Sequence, residues 1–514
     1  MKTLTRTLSF IKTFAFVLLI LSWTCGVAKA HWHPNAILRI SKGFLAGDCT
    51  VRPSVIINGT SPGPELRFKE GQRVWIRVYN DLPDQNTTLH FHGLSQFGSP
   101  FADGTPATSQ FQLESGSAGT YMYHTHVDFQ LVTAHGAFIV EDEGPPPYSY
   151  DEELTLLFAT PFQWPGEPSS LTVNGNALAH CDPSRGYRCS GECHQHVMNL
   201  KPSRTYRVRF IGITALTFLY IGLEDHHEFE IIEADAAYLK PTRTDHLELH
   251  SGQRYSFLLR TKSRAELRAL NKTTFWGRIE SRWRPIRDKG SFVITYDRGY
   301  EQELATFPPR NLARRVFLPD ERVSWVNRAF APLRQHDVSP TEQEVTRRIM
   351  IRAQQLTTAG GGSQYFVNGQ AAYLNPSSLQ PDYGQAEVNH GYDSSTSSFP
   401  LRLGETVEIV IFNFASSLGE AEAHPWHFHG QHPFMVAQGY GKYSPEAARR
   451  IEAQNFVKYG GLPHRRDTQV ILPGQGATYE DEKIAEGTLS SWIVLRMRVS
   501  VSGAFLVHCH IQRV

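Results

Sequence analysis

The chain has 514 residues and a formal net charge of +1, with its 51 basic and 50 acidic side chains interspersed. That length exceeds one hydrophobic core, and the even charge offers nucleic acid or an anionic membrane no basic face to bind. Gly (40) and Pro (30), with Tyr, Phe, Val and Thr in short runs, predict an all-β chain rich in turns.

At the N-terminus, Lys2, Arg6 and Lys12 precede the apolar run FAFVLLIL, and Ala28–Ala30 offers small residues for cleavage. Residues 1–30 therefore read as an export signal. No other segment approaches the roughly eighteen apolar residues of a bilayer span. The expectation is a secreted chain that begins near His31 and has no membrane span. On that route the sequons at Asn58, Asn86 and Asn271 are open to glycosylation. Cys25 leaves with the signal. Cys49, Cys181, Cys189 and Cys193 can form two disulfides in any of three pairings, and Cys509 is the thiol left over.

Along the mature chain, IINGTSPGP (Asn58) is followed by the alternating run GQRVWIRVYN at Gly71–Asn80. Then come LHFHG (His90, His92) and YHTHVDFQ (His124, His126). TVNGNALAH (Asn174) repeats the first turn and leads to RTYRVRFIG at Arg204–Gly212. FVNGQAAYL (Asn368) repeats it again and leads to GETVEIVIFN at Gly404–Asn413. Apolar residues at every second position mark strands with one buried face. Three copies of one β-sandwich plan account for the length: 31–145, 146–300 and 345–514. The stretch 301–344, with FPPRNLARR and LPDERVSW, lacks the periodicity and reads as a connection.

The third copy carries HPWHFHG (His424, His427, His429) and VHCHI (His508, Cys509, His510). A lone His-x-His is usually incidental, but four in one strand-like context are not. Residues i and i+2 of a strand share a face, so each pair presents two imidazoles to one centre. Eight His from four strands are enough for several metal ions at a seam between the first and third copies. Cys509 then points the opposite way, where a thiolate with His424 as nitrogen partner favours copper in a trigonal blue site. Other clusters carry less. HWHP at His31–Pro34 reads as the ordinary start of the mature chain. CHQH at Cys193–His196 reads as disulfide cysteine beside His, and the pair His226–His227 as a surface turn.

These motifs, with NGTSPGPELRFKEGQRVWIRVYNDL, DGTP, GTYMYHTH and GAFIVED, resemble those of the multicopper oxidases, in family order and over nearly the whole mature chain. The likeness is greatest to fungal laccase-like members. It implies three cupredoxin-like Greek-key domains and four copper ions. It also implies one-electron oxidation of a small reducing substrate, such as a phenolic or pigment precursor, coupled to four-electron reduction of dioxygen to water. Ascorbate oxidase and ferroxidase are the in-family alternatives. Carried over residue by residue, His90 and His427 match the type 2 copper ligands. His92, His124, His126, His429, His508 and His510 match the type 3 pair, and His424 and Cys509 the type 1 site. Asp103, eleven residues after His92, matches the acid that assists proton delivery.

Three departures accompany the likeness. Val514 stands five residues after Cys509, where the family places the second type 1 His, so the type 1 site is incomplete. On this count a copper-binding protein impaired in catalysis is a further alternative. Gln512 replaces an acid. The segment around Gln110, between ATSQ and FQLESGSAGTY, is short by most of a strand, which predicts an unpaired sheet edge or a slipped register. Val codons begin with GT, as introns do, so the first and third departures read as exon-boundary errors.

Overall fold

Short alternating runs separated by Gly, Pro and Asn turns form six sheets, which pack as three successive pairs around three cores. The computed structural model describes residues 33–511 apart from 105–108, 162–169, 284–287, 297–306, 320–325, 336, 358–362, 372–381, 420–421, 456 and 475–483. The export signal, His31, Gln512 and Val514 lie outside the described residues.

In the first pair, β1 (Ala36–Leu45), β2 (Thr50–Ile57), β4 (Arg73–Asn80) and β6 (Ser109–Gln112) face β3 (Leu66–Lys69), β5 (Leu89–His92), β7 (Gly119–Thr125) and β8 (His135–Glu141). Leu38, Ile40, Val74, Ile76, Phe91, Phe111 and Phe138 fill the space between them.

In the second pair, β9 (Glu152–Ala159), β10 (Thr172–Val173), β13 (Thr205–Ile213), β15 (Phe229–Ala234), β16 (Ala237–Thr244) and β18 (Arg254–Arg260) form one sheet. The other holds β12 (Val197–Asn199), β14 (Phe218–Leu223), β17 (His246–Leu249), β19 (Thr274–Arg282) and β20 (Lys289–Thr295). A short β11 (Arg188–Cys189) leaves this region to pair with β2, and the disulfide Cys49–Cys193 ties the same place down. Cys181–Cys189 closes the loop, and among the described residues Cys509 is the cysteine outside a disulfide.

The third pair combines β21 (Arg347–Thr357), β22 (Ser363–Val367), β23 (Gln370–Ala371), β24 (Thr406–Phe414), β26 (Phe434–Tyr440) and β28 (Leu489–Arg498) with a small sheet. That small sheet is β25 (His424–Phe428), β27 (Thr468–Ile471) and β29 (Val507–Cys509), with β25 in the middle.

The repeated NG turn is one device used three times. Asn58, Asn174 and Asn368 all have positive φ (52°, 49° and 52°), as do the glycines that follow them. Each Asn amide bridges the strand that opens its sheet pair. Asn58 accepts from Arg39 N at 2.7 Å and donates to Ile37 O at 2.9 Å. Asn174 accepts from Leu157 N at 2.8 Å and donates to Thr155 O at 3.1 Å. Asn368 does the same with Arg352 N at 2.8 Å and Met350 O at 3.3 Å. Asn is chosen because it tolerates the left-handed backbone and offers both a donor and an acceptor.

Several expectations need correcting. The strands β13 and β24 are buried on both faces, not one. Along β13 the alternate residues Arg207 and Arg209 are covered and paired with Glu233, which also accepts from Thr120 of the first pair. On the outer face of β24, Val410 joins Val436 of β26, Trp492 and Val494 of β28, and Ala448 of helix α1 (Pro445–Asn455) in one buried cluster. His226 is not on the surface: it is 5% exposed and donates or accepts at Tyr296 Oη (2.8 Å), while His227 is exposed.

Near Gln110 the chain ends its sheet in an edge strand, one of the two outcomes expected there. β6 pairs antiparallel with β4 from Ile76↔Ser109 to Arg73↔Gln112 as the edge strand of its sheet. Beside it opens a cleft of about 550 Å³ lined in part by Gln96, Phe111, Leu113, Tyr121, His432 and Arg465. The described part of 301–344 is a packed connection. Phe330 enters the second core, and Asn327 accepts from Arg466 of the third pair at 2.9 Å.

Candidate metal centre

Two registers create the centre. β5 pairs antiparallel with β7, placing His90 opposite His124, and β25 pairs with β29, placing His427 opposite His508. The two strand pairs meet face to face, so eight imidazoles converge. Among the described residues four ligand-sized groups result: His90 with His92 and His427; His92 with His124 and His510; His126 with His429 and His508; and His90 with Asp103 and His429. The first two groups are wholly buried.

The hydrogen bonds on the outer side of the rings decide which nitrogen faces inward. His90 Nδ1 donates to Asp103 Oδ1 at 2.6 Å, and His429 Nδ1 to Asp103 Oδ2 at 2.6 Å. His427 Nδ1 donates to the Asp467 carbonyl at 3.1 Å, His124 Nδ1 to that of Thr125 at 2.9 Å, and His508 Nδ1 to that of Cys509 at 3.0 Å. Ser251 spends its hydroxyl proton on the Thr214 carbonyl, so it accepts from His510 Nδ1 at 3.0 Å. In each of these rings the Nε2 is left as a lone pair. His92 is reversed: its Nε2 donates to Asp467 Oδ1 at 3.0 Å, so its Nδ1 faces inward.

Burial drives every one of these imidazoles towards the neutral form. His90, His126, His427 and His429 are lowered to about 4. His92, His124, His508 and His510 are held well below the usual histidine range, again chiefly by burial. Burial alone would raise Asp103, but the adjacent His90 and the hydrogen bonds from both rings hold it well below the carboxylate range.

Inward, lone pair meets lone pair. The Nε2 atoms of His90 and His427 lie 3.1 Å apart, and those of His429 and His508 also 3.1 Å. Two nitrogens each about 2.0 Å from a shared ion, at angles between square and tetrahedral, lie about 2.9–3.3 Å apart. His92 Nδ1, His124 Nε2 and His510 Nε2 are buried with no hydrogen-bond partner among the described residues. Facing lone pairs and orphaned nitrogens are unfavourable in a dry interior, and cations held between them remove the conflict. The donor set of neutral imidazoles fits copper.

On the far side of β29, Cys509 Sγ stands 3.5 Å from His424 Nδ1, opposite Trp426 in the register. Phe218, Trp283, Val470, Leu472 and Ile511 pack around this point. Among the described residues, the groups of three or more ligating side chains do not include His424 and Cys509. Asp103, expected to serve proton delivery, has both carboxylate oxygens engaged with ring N–H groups.

Sequence reasoning missed Asp467, which is fully buried and touches the centre on its outer side. Its signal was slight: a single acid in RRDT at the start of a strand.

Family models described as multicopper oxidase match residues 40–145, 149–272 and 369–514. The laccase-like multicopper oxidase 1 of Thermothelomyces thermophilus is 34% identical, over 93% of this chain and 84% of that one. The chain is a multicopper oxidase. The multicopper oxidase aurL2 of Gibberella zeae is also 34% identical, over 94% of this chain and 87% of its own. Among solved structures, Fet3p, a multicopper oxidase that functions in iron import, superposes with a TM-score of 0.70 at 21% identity, covering 93% of this chain and 88% of its own. The sheet pairs are thus cupredoxin-like sandwiches. As a multicopper oxidase the protein is a copper-dependent oxidoreductase that couples small reducing substrates to dioxygen. Among the described residues no helix is long and apolar enough to cross a membrane.

Proposed function

We propose that the protein is a secreted, laccase-like oxidase of small phenolic or pigment-precursor reductants. What carries this reading is the set of imidazole lone pairs facing one another, with the Cys509–His424 pair on the opposite side of the same strand. The laccase-like relative at 34% identity supports the substrate class. The two disulfides suit an oxidising compartment and so support secretion. In this reading His90 and His427 hold a type 2 copper. His92, His124, His126, His429, His508 and His510 hold the type 3 pair, and His424 and Cys509 belong to the type 1 site.

Copper bound there supplies the one-electron redox chemistry that reduces dioxygen to water. The chain's own part is to prepare the site. At the end of β29 the backbone joins Cys509 directly to both His508 and His510. Asp103 keeps the Nδ1 protons of His90 and His429, so that Nε2 stays a lone pair in each. Burial excludes bulk water and keeps the rings neutral.

One observation favours a second reading, a copper-binding protein without efficient turnover. Val514 stands five residues after Cys509, where the resemblance places a second type 1 His. The test is to load the full chain with copper, record its visible spectrum and follow oxygen uptake with a phenol, ascorbate and ferrous ion. A blue band with steady phenol-dependent uptake supports the oxidase. Bound copper without either supports the second reading, and preferred turnover of ascorbate or ferrous ion reassigns the substrate.

A further inference from the structure

The second sheet pair supplies none of the clustered histidines, yet one of its side chains reaches the back of the cluster. Arg254 opens β18 and is fully buried. Its Nη1 and Nη2 donate to Asp467 Oδ1 and Oδ2 at 2.7 and 2.6 Å, a parallel two-point grip. Two further donors go to the carbonyls of Thr120 (Nε, 3.0 Å) and Gly252 (Nη1, 3.0 Å). The guanidinium therefore touches all three sheet pairs and has little freedom to turn.

The space around the pair is reserved for it. Gly93 follows His92 with φ +89°, and a Cβ there would lie 2.6 Å from both Arg254 Nη2 and Asp467 Oδ2. Gly252, with φ +85°, passes so close that a Cβ would stand 3.1 Å from both His510 and His92. Asp467 Oδ1 is the acceptor that reverses His92, and its backbone carbonyl holds His427.

We infer that Arg254 is a positioning residue for the metal centre: it fixes the plane of the Asp467 carboxylate, which holds His92 with Nδ1 facing the other imidazoles. The inference rests on the metal-centre reading above. Without the guanidinium, no two-point partner defines where Asp467 Oδ1 sits. His92 Nε2 then keeps Thr468 Oγ1, at 3.1 Å, as an acceptor but loses the carboxylate oxygen that the guanidinium fixes.

The test uses the full chain carrying Arg254→Met, Arg254→Lys or Arg207→Met. Each is stripped of metal, reloaded with Cu(II), and compared by copper content, chelator competition and EPR. Arg207 is an equally covered arginine of the same sheet pair that grips Glu233 at 2.7 Å and does not reach Asp467, so it reports the cost of a broken buried pair alone. Arg254→Met is expected to hold cluster copper about tenfold less tightly, the lower end for outer partners of a metal ligand, with an altered EPR hyperfine splitting from the copper held by His427, whose Nδ1 is 3.5 Å from Asp467 Oδ1. Arg254→Lys, which offers a point charge in place of a fork, recovers part of the loss. Arg207→Met is expected to lower the urea midpoint while binding copper as the wild type does.

Wild-type affinity and spectrum in Arg254→Met overturn the inference, as does an equal change in Arg207→Met. Should Arg254→Met fail to fold, Arg254→Lys decides: a shifted spectrum supports the role, and a wild-type one overturns it. If the wild type itself takes up no copper, the metal-centre reading falls and this inference with it. That result is distinct from a copper-loaded wild type whose Arg254 variants are unchanged.

Discussion

Replacing Asp103 by Asn keeps the shape of the side chain and tests the lone-pair argument directly. The carboxylate accepts from His90 and His429 at 2.6 Å each, one ring per oxygen, and the two rings stack with centroids 3.8 Å apart. An amide offers one oxygen and one NH2 group, so it can accept from only one of the two rings. The other Nδ1–H then faces a donor, and the ring relieves the clash by moving its proton to Nε2 or by turning away. Either response removes a nitrogen lone pair from the contact with His427 or from that with His508. Loss of such an outer partner costs about 10–100-fold in metal affinity, which is about 1.4–2.7 kcal/mol. Copper titration of the metal-free Asp103→Asn protein against a competing chelator measures it, with the urea midpoint as a check on folding. A folded variant that binds the same number of copper ions with affinity within about twofold of wild type would refute the reasoning, because outer partners are expected to matter more than that.

The cluster also sets a pH dependence for the metal-free protein. His90, His126, His427 and His429 titrate near 4 when folded, below the ordinary 6.5. The unfolded chain therefore binds more protons between those values, and stability falls as pH drops through that window. Urea midpoints of the metal-free protein measured from about pH 7 down to about pH 5 should decline, and copper should raise them throughout without flattening the decline, because the loaded site binds no more protons than the empty one. Removing the NG-turn amide by Asn174→Ala leaves Leu157 N–H without its acceptor and places Ala at φ 49°. A loss of about 2–4 kcal/mol is expected from the orphaned donor and the backbone strain, read from denaturant unfolding. Removing the Cys49–Cys193 bond by a double Ser substitution opens a separation of 144 residues. It should lower stability by up to about 5 kcal/mol, the entropic ceiling for so long a loop, without changing copper content.

The clustered histidines were legible because each pair lies on a strand or runs one residue past its end, where spacing i, i+2 places two side chains on one face. The alternating runs were legible for the same reason, and the NG turns because few residues accept positive φ. What stayed hidden depends on contacts remote in sequence. Arg254 meets Asp467 across 213 residues, and Ser251 meets His510 across 259. No local pattern separates such residues from surface charges or hydroxyls. Full burial of β13 and β24 was missed because what packs on their outer faces, Glu233 and the cluster that includes Ala448 of helix α1, lies elsewhere in the chain. His226 was misplaced because a doubled His carries no sign of which ring turns inward.

The spacing between the facing histidines also dictates an order in time. His126 and His508 stand 3.3 Å apart in space but 382 residues apart in the chain. At a synthesis rate of about 5–20 residues per second, the first strand pair leaves the ribosome roughly 20–80 s before its partner exists. Through that interval the His90–His126 half of the centre is a half-built receptacle, open to whatever soft or borderline cation the compartment offers. β29 sits at the edge of its small sheet, so it can dock last without unpicking a finished one. The two halves of the centre therefore come together only after β29 has been made and has paired with β25.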